Sequence, residues 1–296
     1  MAEAALEVEL TEIYREPTSL WQDALRRLLR NKLAIAGMVI LVAFLFSALF
    51  APWLAPYDPI KQQLVRRREP ASREHLLGID EVGRDILSRI IFGARTSLQV
   101  GVGSVSFAIM IGALLGAISG YLGGWVDNVV MRLMDILLAF PGLLLAIAIV
   151  SILGPGLMNM LYAIAVVSIP LYARIVRASV LSVKEQDYIL AARAIGVPST
   201  RMLFRNVLPN CLTPLIVSAT LGIATAILDA AGLSFLGLGA QPPTPEWGAM
   251  LGSGRGSVFT APHIVFLPGI AIMLLVLGFN LLGDGLRDAL DPGLRL

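Results

Sequence analysis

Cysteine and charged residues are scarce in this chain, and each shortage excludes certain classes of protein. Cys211 is the single cysteine, so neither an internal disulfide framework nor a thiolate metal cluster can form. Charged residues make up 15% of the 296 residues and hydrophobic residues 56%, whereas soluble domains carry about 25% charged residues. A lipid environment explains this composition, because lipid accepts apolar side chains on every face of a helix.

Several chemical motifs are also missing. None of the lysines follows a glycine, so the chain has no Gly-Lys-Ser/Thr loop to cradle nucleotide phosphates. His75 and His263 are isolated, and there is no Gly-x-Ser-x-Gly elbow. A basic stripe with interleaved aromatic residues is absent too, which argues against nucleic-acid binding. The sequence therefore predicts no catalytic residue, no metal site and no bound cofactor in this chain.

Long apolar runs are what the chain has in abundance. A bilayer core about 30 Å thick needs around 20 apolar residues in a helix. Each such run must be helical, because lipid offers no partner to unpaired backbone groups. The predicted fold class is all-α, a polytopic membrane protein with six transmembrane helices. The runs cover residues 33–54, 97–121, 129–153, 157–176, 212–238 and 264–282.

The placement of lysine and arginine predicts that both chain ends are cytoplasmic. Residues 1–32 are expected to form a cytoplasmic N-terminal segment, acidic over its first twenty residues and without the features of a cleavable signal. Residues 284–296 are expected to form a cytoplasmic tail. The 55–95 loop opposes this orientation, because it would be extracytoplasmic although it carries eight lysine and arginine residues.

The 55–95 loop is predicted to contain a short amphipathic helix. Asp80 is a suitable N-cap and Gly93 a suitable stop, and the residues between them place apolar side chains on one face. This helix is expected to lie flat on the membrane or on a neighbouring helix.

Two features of the apolar runs bear on mechanism. Asp135 and Asp229 lie in apolar surroundings, where a charge costs at least about 2.5–3.5 kcal/mol unless it faces protein or water. Two roles are open for Asp135, lining a translocation path or forming a structural bond to a neighbouring helix. For Asp229, lining the translocation path is the favoured role. Four glycines also recur at every fourth position, which stacks them on one helix face and lets another helix approach closely. They are Gly112, Gly116, Gly120 and Gly124.

The polar stretch 184–210 separates the fourth and fifth apolar runs. Two short amphipathic helices fit it, broken near Gly196–Pro198, with Ser199 capping the second. The face formed by Ala191–Ala192, beside Leu190, would suit a groove on another protein. The alternative is a helix pair that lies on its own subunit, and the spacing leaves both open.

Several motifs resemble those of one protein family. The loop motif LAARAIG at 190–196, followed by Leu208–Pro209, is similar to the EAA loop of bacterial ABC-importer permeases. Four longer motifs resemble the "C"-type permease of the dipeptide/oligopeptide/nickel branch. They are HLLGIDEVGRDILSR from residue 75, MDILLAFPG from 134, LSFLGLGAQPPTPEWG from 233 and GDGLRDALDP from 283.

This resemblance covers nearly the whole chain beyond residue 20 and implies the type I ABC-importer permease fold, with a core at 96–283. The implied function is a pore-forming subunit that moves di- and oligopeptides across the bacterial cytoplasmic membrane by alternating access. The implied partners are a homologous "B"-type permease, two ATPase subunits that hold ATP and Mg²⁺, an extracytoplasmic substrate-binding protein and the lipid bilayer.

The resemblance also implies roles for individual residues. Asp229, Asp135 and Ser234 are candidates for the translocation path, and Glu246 and Trp247 for contact with the binding protein. The coupling residues of the loop are Leu190, Ala191, Ala192, Arg193, Gly196, Leu208 and Pro209.

Two positions depart from the family pattern. Leu190 occupies a position where many members have glutamate. An acid is common in the family at the position of Ala230, whereas here it is Asp229, about 100° around a helix.

Other functions are compatible with the sequence. The same class of importer could carry nickel or another small solute. A secondary transporter or a channel, independent of ATP, is an alternative from a different class. Many secondary transporters show paired broken helices in two repeated halves, and this sequence shows no such internal symmetry.

Overall fold

A computed structural model describes residues 25–290. The predictions for residues 1–24 and 291–296, including the acidic N-terminal segment, lie outside the described residues. Within 25–290 the chain is helical, with no β-sheet and one isolated antiparallel bridge between Ile79 and Asp85. The predicted all-α class is confirmed.

The predicted 33–54 run forms two consecutive helices instead of one. They are α1 (Lys32–Leu49) and α2 (Ala51–Leu54). The side-chain oxygen of Asn31 caps α1, because it accepts hydrogen bonds from Leu33 N and Ala34 N at 3.0 and 3.3 Å. The interruption falls at Phe50, and Pro52 follows in the first turn of α2, where proline is tolerated.

Helix α3 (Ile86–Leu122) is one continuous helix of 37 residues, so the predicted short helix in the 55–95 loop is wrong. The N-cap is Asp85 rather than Asp80. The Asp85 carboxylate accepts a hydrogen bond from Ser88 N at 2.8 Å and so satisfies a free amide of the first turn.

Gly93, the predicted stop, lies inside α3. The indole of Trp247 packs in the space that a side chain at this position would occupy. Glycine serves here for close packing and not for helix termination. The predicted 97–121 run is therefore part of a longer helix, about 55 Å long at 1.5 Å per residue.

The third apolar run forms two helices, so the predicted straight span at 129–153 is wrong. Helices α4 (Gly124–Leu138) and α5 (Gly142–Leu153) meet at an angle of 90°. The break falls around Pro141, because proline lacks the backbone N–H that would continue α4 and disfavours helical geometry in the residue before it.

Helix α6 (Leu157–Val183) extends beyond its predicted end at residue 176. Short helical pieces then lead into α9 (Leu212–Phe235). They are α7 (Asp187–Ala194), α8 (Ser199–Met202), a π turn (Leu203–Val207) and a 3₁₀ turn (Leu208–Cys211). Residues 199–235 thus form one nearly continuous helical stretch.

The last helices are α10 (Trp247–Gly254) and α11 (His263–Leu290). Helix α11 continues past residue 284, so the predicted C-terminal tail begins as helix and not as loop. Helices α6 and α9 cross the molecule in opposite directions and join its two ends. One end carries α7 and is called the α7 end, and the other carries α10 and is called the α10 end.

Within residues 25–290, five helical stretches are long and apolar enough to cross a membrane, or six if the bent pair α4–α5 counts as one span. Three hydrophobic clusters hold the described helices together, and the smallest, around Ala34 and Ala289, joins α1 to α11. A second lies mainly between α3, α6 and α9, and includes Tyr172 and Ile189. The third joins α1, α3, α9, α10 and α11 around Trp247.

Candidate functional site

The loop at the α7 end is fixed to the helix bundle along one side. Ile189, Met202 and Val207 are buried in the cluster that contains α6. Asn210 Nδ2 donates a hydrogen bond to the Tyr188 hydroxyl at 3.1 Å, which joins α7 to the segment before α9. One side of the loop therefore lies on its own subunit.

Gly196 makes the turn between α7 and α8. Its φ of +81° is left-handed, a conformation that glycine adopts without a steric cost. The predicted cap at Ser199 is wrong, because Ser199 is the first residue of α8 and its side chain makes no capping bond. A backbone bond closes the turn instead, from Val197 N to Ala192 O at 3.1 Å.

The other side of the loop is exposed and largely apolar. Ile195 is 82% exposed, and Leu190 and Phe204 are exposed as well. The sequence pattern did not point to Phe204. The remaining predicted coupling residues are spread over both sides: Ala191, Arg193, Gly196 and Pro209 are exposed, and Ala192 and Leu208 are half-buried. An exposed apolar surface on an anchored loop is typical of a protein contact.

Three of the four spaced glycines lie where α3 packs against α6. A Cβ at Gly112 would stand 2.8 Å from the carbonyl oxygen of Ile169, and one at Gly120 would stand 3.0 Å from that of Arg177. Gly116 lies against the Ala173 backbone. The two helices therefore approach backbone to backbone within this subunit.

Gly124 does not belong to this contact, so its inclusion in the glycine row was wrong. It begins α4 with a φ of +55°, and a Cβ there would meet nothing within 4 Å. The reason is that α3 ends at Leu122, and the four-residue period ends with it.

Asp135 is paired with a neighbouring helix. Its carboxylate lies 2.5 Å from Nη2 of Arg174 on α6, and both side chains are 51% exposed. Asp127, which no sequence pattern predicted as a functional residue, accepts hydrogen bonds from Arg177 and Ser119. These contacts join α4 to α3 and α6. Of the two alternatives predicted for Asp135, the contact with Arg174 is the structural bond to a neighbouring helix.

Asp229 has different surroundings. It is half-buried in α9, one turn beyond the exposed Thr225. Within residues 25–290 no hydrogen bond or ion pair joins its carboxylate to another residue. A carboxylate in this setting needs water or a ligand as its partner.

Ser234, another predicted path residue, is only 3% exposed. Its hydroxyl lies 3.5 Å from the sulfur of Met160 and in hydrogen-bonding contact with Glu246. The structure contradicts a path-lining position, because the serine is packed between α6 and the start of α10.

Trp247 is fully buried, so the prediction that it contacts an external protein is wrong. Its indole Nε1 donates a hydrogen bond to Ile90 O at 3.1 Å, and its ring meets that of Phe44 edge to face at 5.5 Å. The residue holds α10 against α1 and α3, which is a packing role.

The same prediction is wrong for Glu246, which is also buried. Its carboxylate accepts hydrogen bonds from Gly248 N and Ala249 N at 2.9 and 2.7 Å and so caps α10. Burial raises the pKa of the Glu246 carboxyl, and these two hydrogen bonds oppose that rise.

Comparisons with known proteins agree with this geometry. Residues 84–296 match the family model described as "Binding-protein-dependent transport system inner membrane component", and residues 19–71 match the "N-terminal TM domain of oligopeptide transport permease C". The chain is 52% identical over 277 residues to the dipeptide transport system permease protein DppC of Alkalihalophilus pseudofirmus, covering 94% of this chain and 91% of that protein.

Two further proteins are similar. The di/tripeptide transport system permease protein DppC of Pseudomonas aeruginosa is 51% identical over 290 residues, covering 96% of this chain and 94% of that protein. A solved structure of the MetNI methionine ABC transporter in an inward-facing conformation shares the fold, with a TM-score of 0.56 and 21% identity. That match covers 69% of this chain and 97% of the MetNI chain.

The fold and the anchored loop thus define the permease subunit of a type I ABC importer. The chain belongs to the family of binding-protein-dependent transport system inner membrane components, and to its C-type permeases of the dipeptide/oligopeptide branch. The family membership indicated by the motifs is confirmed. A permease of this kind works together with partner permease and ATPase subunits.

Proposed function

We propose that this chain is one of two pore-forming subunits of an importer that moves di- and oligopeptides across the bacterial cytoplasmic membrane. Relatives named for dipeptide and di/tripeptide transport at 51–52% identity support a peptide substrate. The observation that carries the proposal is the loop at the α7 end, which is anchored on one side and exposes apolar side chains on the other.

The loop is suited to couple ATP hydrolysis to transport. Its exposed face would seat in a groove of an ATPase subunit, and closure of the ATPases would move α7 and α8. Because residues 199–235 are nearly continuous helix, this movement would be carried into α9 and to Asp229. No chemistry on the peptide is needed, since alternating access requires only contacts that differ between two states.

The remaining partners follow from this arrangement. A homologous "B"-type permease would complete the pore, and two ATPase subunits would hold ATP and Mg²⁺. This chain would then need no ATPase site and no cofactor of its own. An extracytoplasmic binding protein would deliver the peptide. The α7 end and both chain termini would face the cytoplasm, and the α10 end would face outwards.

The substitution Ile195→Asp tests the coupling role. A charge placed in an apolar contact costs at least about 2 kcal/mol, so we expect roughly 30-fold weaker retention of the ATPase subunits on purification, and loss of peptide uptake in proteoliposomes. Ile195→Leu keeps the apolar surface and should behave as the unaltered chain. Full ATPase retention and full uptake with Ile195→Asp would show that the loop does not couple the subunits.

A further inference from the structure

Acidic side chains at the α10 end are engaged in contacts within the chain. Two of these contacts are almost completely buried, and a third lies at the surface. The pairs are Asp80 with Arg84 at 2.6 Å, Asp85 with His75 at 2.8 Å, and both Glu69 and Glu74 with Arg66 at 2.9 and 2.8 Å. Four of the six acids in residues 55–95 are therefore paired within the chain, and only Asp58 and Glu81 are left to balance other charges on this surface.

Several basic side chains of the same end are exposed and left without a partner. No hydrogen bond or ion pair within residues 25–290 involves their charged groups. The α10 end consequently presents an excess of positive charge to solvent. These side chains are those of Lys61, Arg67, Arg68, Arg73 and Arg255.

Contacts through the turn at 80–81 place the segments of Arg68 and Arg255 in one region. Arg68 N donates a hydrogen bond to Asp80 O at 3.1 Å, which holds the arginine beside the turn at Glu81. The Glu81 carboxylate lies next to Gly254, the residue before Arg255. Burial raises the pKa of Glu81, and the positive charges nearby, Arg68 among them, oppose that rise. Two segments far apart in sequence thus contribute to one surface.

Apolar side chains project from the same two segments. Val65 is 100% exposed and Phe259 is 98% exposed. We call Val65, Arg67, Arg68, Arg255 and Phe259 the basic surface. Its combination of arginines with an exposed aromatic ring is the composition that protein interfaces favour.

The backbone at Arg68 has a conformation that glycine adopts more easily. Arg68 has a φ of +63° and is the one non-glycine residue within 25–290 with a left-handed backbone. This conformation costs an L residue about 1 kcal/mol or more, a cost that glycine avoids. The turn itself would therefore be better served by glycine.

We infer that the basic surface docks an acidic face of an external protein, namely the substrate-binding protein of the proposed importer. Val65 and Phe259 would supply apolar anchors, and the arginines would attract and orient a negatively charged partner. The inference rests on the proposed function, including its orientation. It also gives a role to the lysine and arginine residues of the 55–95 loop, which the positive-inside tendency would place on the cytoplasmic side.

The test uses the complete importer in nanodiscs of neutral phosphatidylcholine. The Kd for the binding protein that stimulates its ATPase activity is measured at low and at high salt. We expect the double substitution Arg68→Gly with Arg255→Gln to raise the Kd about tenfold at low salt, since each rim charge contributes up to about 1 kcal/mol. The difference should nearly vanish at about 1 M salt, where the screening length is about 3 Å.

Matched variants separate docking from folding. Arg68→Gly relieves the left-handed backbone, so thermal stability should be kept. Arg132→Gln removes an exposed positive charge from α4 and should leave the Kd unchanged. Phe259→Ser should raise the Kd at both salt concentrations, because an apolar contact is not screened.

The outcomes distinguish this inference from the proposed function. If the unaltered complex retains no ATPase subunits and no binding protein stimulates it, the proposed function fails. If the unaltered complex is stimulated but the double substitution leaves the Kd unchanged, the docking inference alone is overturned. It is also overturned if the substitutions act only when anionic phosphatidylglycerol is added, since the surface would then contact lipid.

Discussion

Asp229 and Asp135 are both carboxylates on apolar helices, but they have different partners. Asp135 is held by Arg174, so its charge is compensated within the subunit. Asp229 has no such contact within residues 25–290. Because an unpaired charge in a membrane is costly, Asp229 is the residue from which we expect a direct contact with substrate or path water.

Replacing Asp229 with asparagine should therefore lower transport without disturbing the fold. A hydrogen bond to a charged group is worth about 1.5–3 kcal/mol, so peptide uptake in proteoliposomes should fall roughly tenfold or more, with subunit assembly unchanged. Asp135→Asn is the control, because a half-exposed ion pair contributes only about 0.2–1 kcal/mol. Equal uptake by the Asp229 variant and the unaltered chain would remove Asp229 from the path.

The residue-scale predictions succeeded where the deciding contact follows from local spacing. The period of four placed Gly112, Gly116 and Gly120 on one helix face, and the structure shows that face against α6. The predictions for Trp247 and Ser234 failed because distant residues decide their burial. Trp247 donates to Ile90, 157 positions away, and no feature of a glycine- and proline-rich loop reveals that partner.

At the scale of whole helices, α3 and α6 form the tightest contact described above. Their backbones meet at the glycines, so there are few side chains that could interdigitate in a second way. Packed interiors shift between discrete arrangements and do not slide continuously. We therefore expect α3 and α6 to keep their mutual position throughout transport.

A disulfide between these helices tests that expectation. A Cβ at Gly120 would stand 3.1 Å from the Cβ of Val180, close to the roughly 3.5–4.5 Å that a disulfide spans. Gly120→Cys with Val180→Cys, in a Cys211→Ala background, should cross-link on oxidation while peptide uptake is retained. Loss of uptake on oxidation, restored by a reductant, would show that the two helices must move apart.

The starts of helices were predicted well where a single composition signal governs them, whereas α6 and α11 extend beyond their predicted ends. The apolar runs located α6, α9 and α11. The α4–α5 bend was missed, because the run at 129–153 is long enough to span a membrane and its proline was outweighed by its hydropathy. Residues 86–93 were predicted as part of a separate helix that stops at Gly93, and the stop was wrong because this glycine serves close packing against the distant Trp247.

At the scale of the whole molecule, the proposed orientation separates the α7 end from the α10 end by the thickness of a membrane. Because the one native cysteine is buried, single cysteines placed at the two ends report their location without interference once Cys211 is replaced by alanine.

Labelling of such variants checks the orientation directly. Phe259→Cys, at a fully exposed position of the α10 end, should react with a membrane-impermeant maleimide in intact spheroplasts. Glu185→Cys, exposed just before α7, should react only after the membrane is permeabilised. The reverse pattern would mean that the chain is inserted the other way round, and the coupling loop would then be out of reach of cytoplasmic ATPases.

The unbroken length of α3 has a mechanical consequence. It begins at the base of the loop that carries Val65 and Arg68 and runs about 55 Å, against a hydrocarbon layer of about 30 Å. As a stiff rod, it would convert a tilt of roughly 10° about its inner end into a displacement of roughly 9 Å at its outer tip. A tilt of this size would reposition the outward-facing arginines by more than the reach of a side chain, so that release of a docked protein and reorientation of the pore would become a single movement.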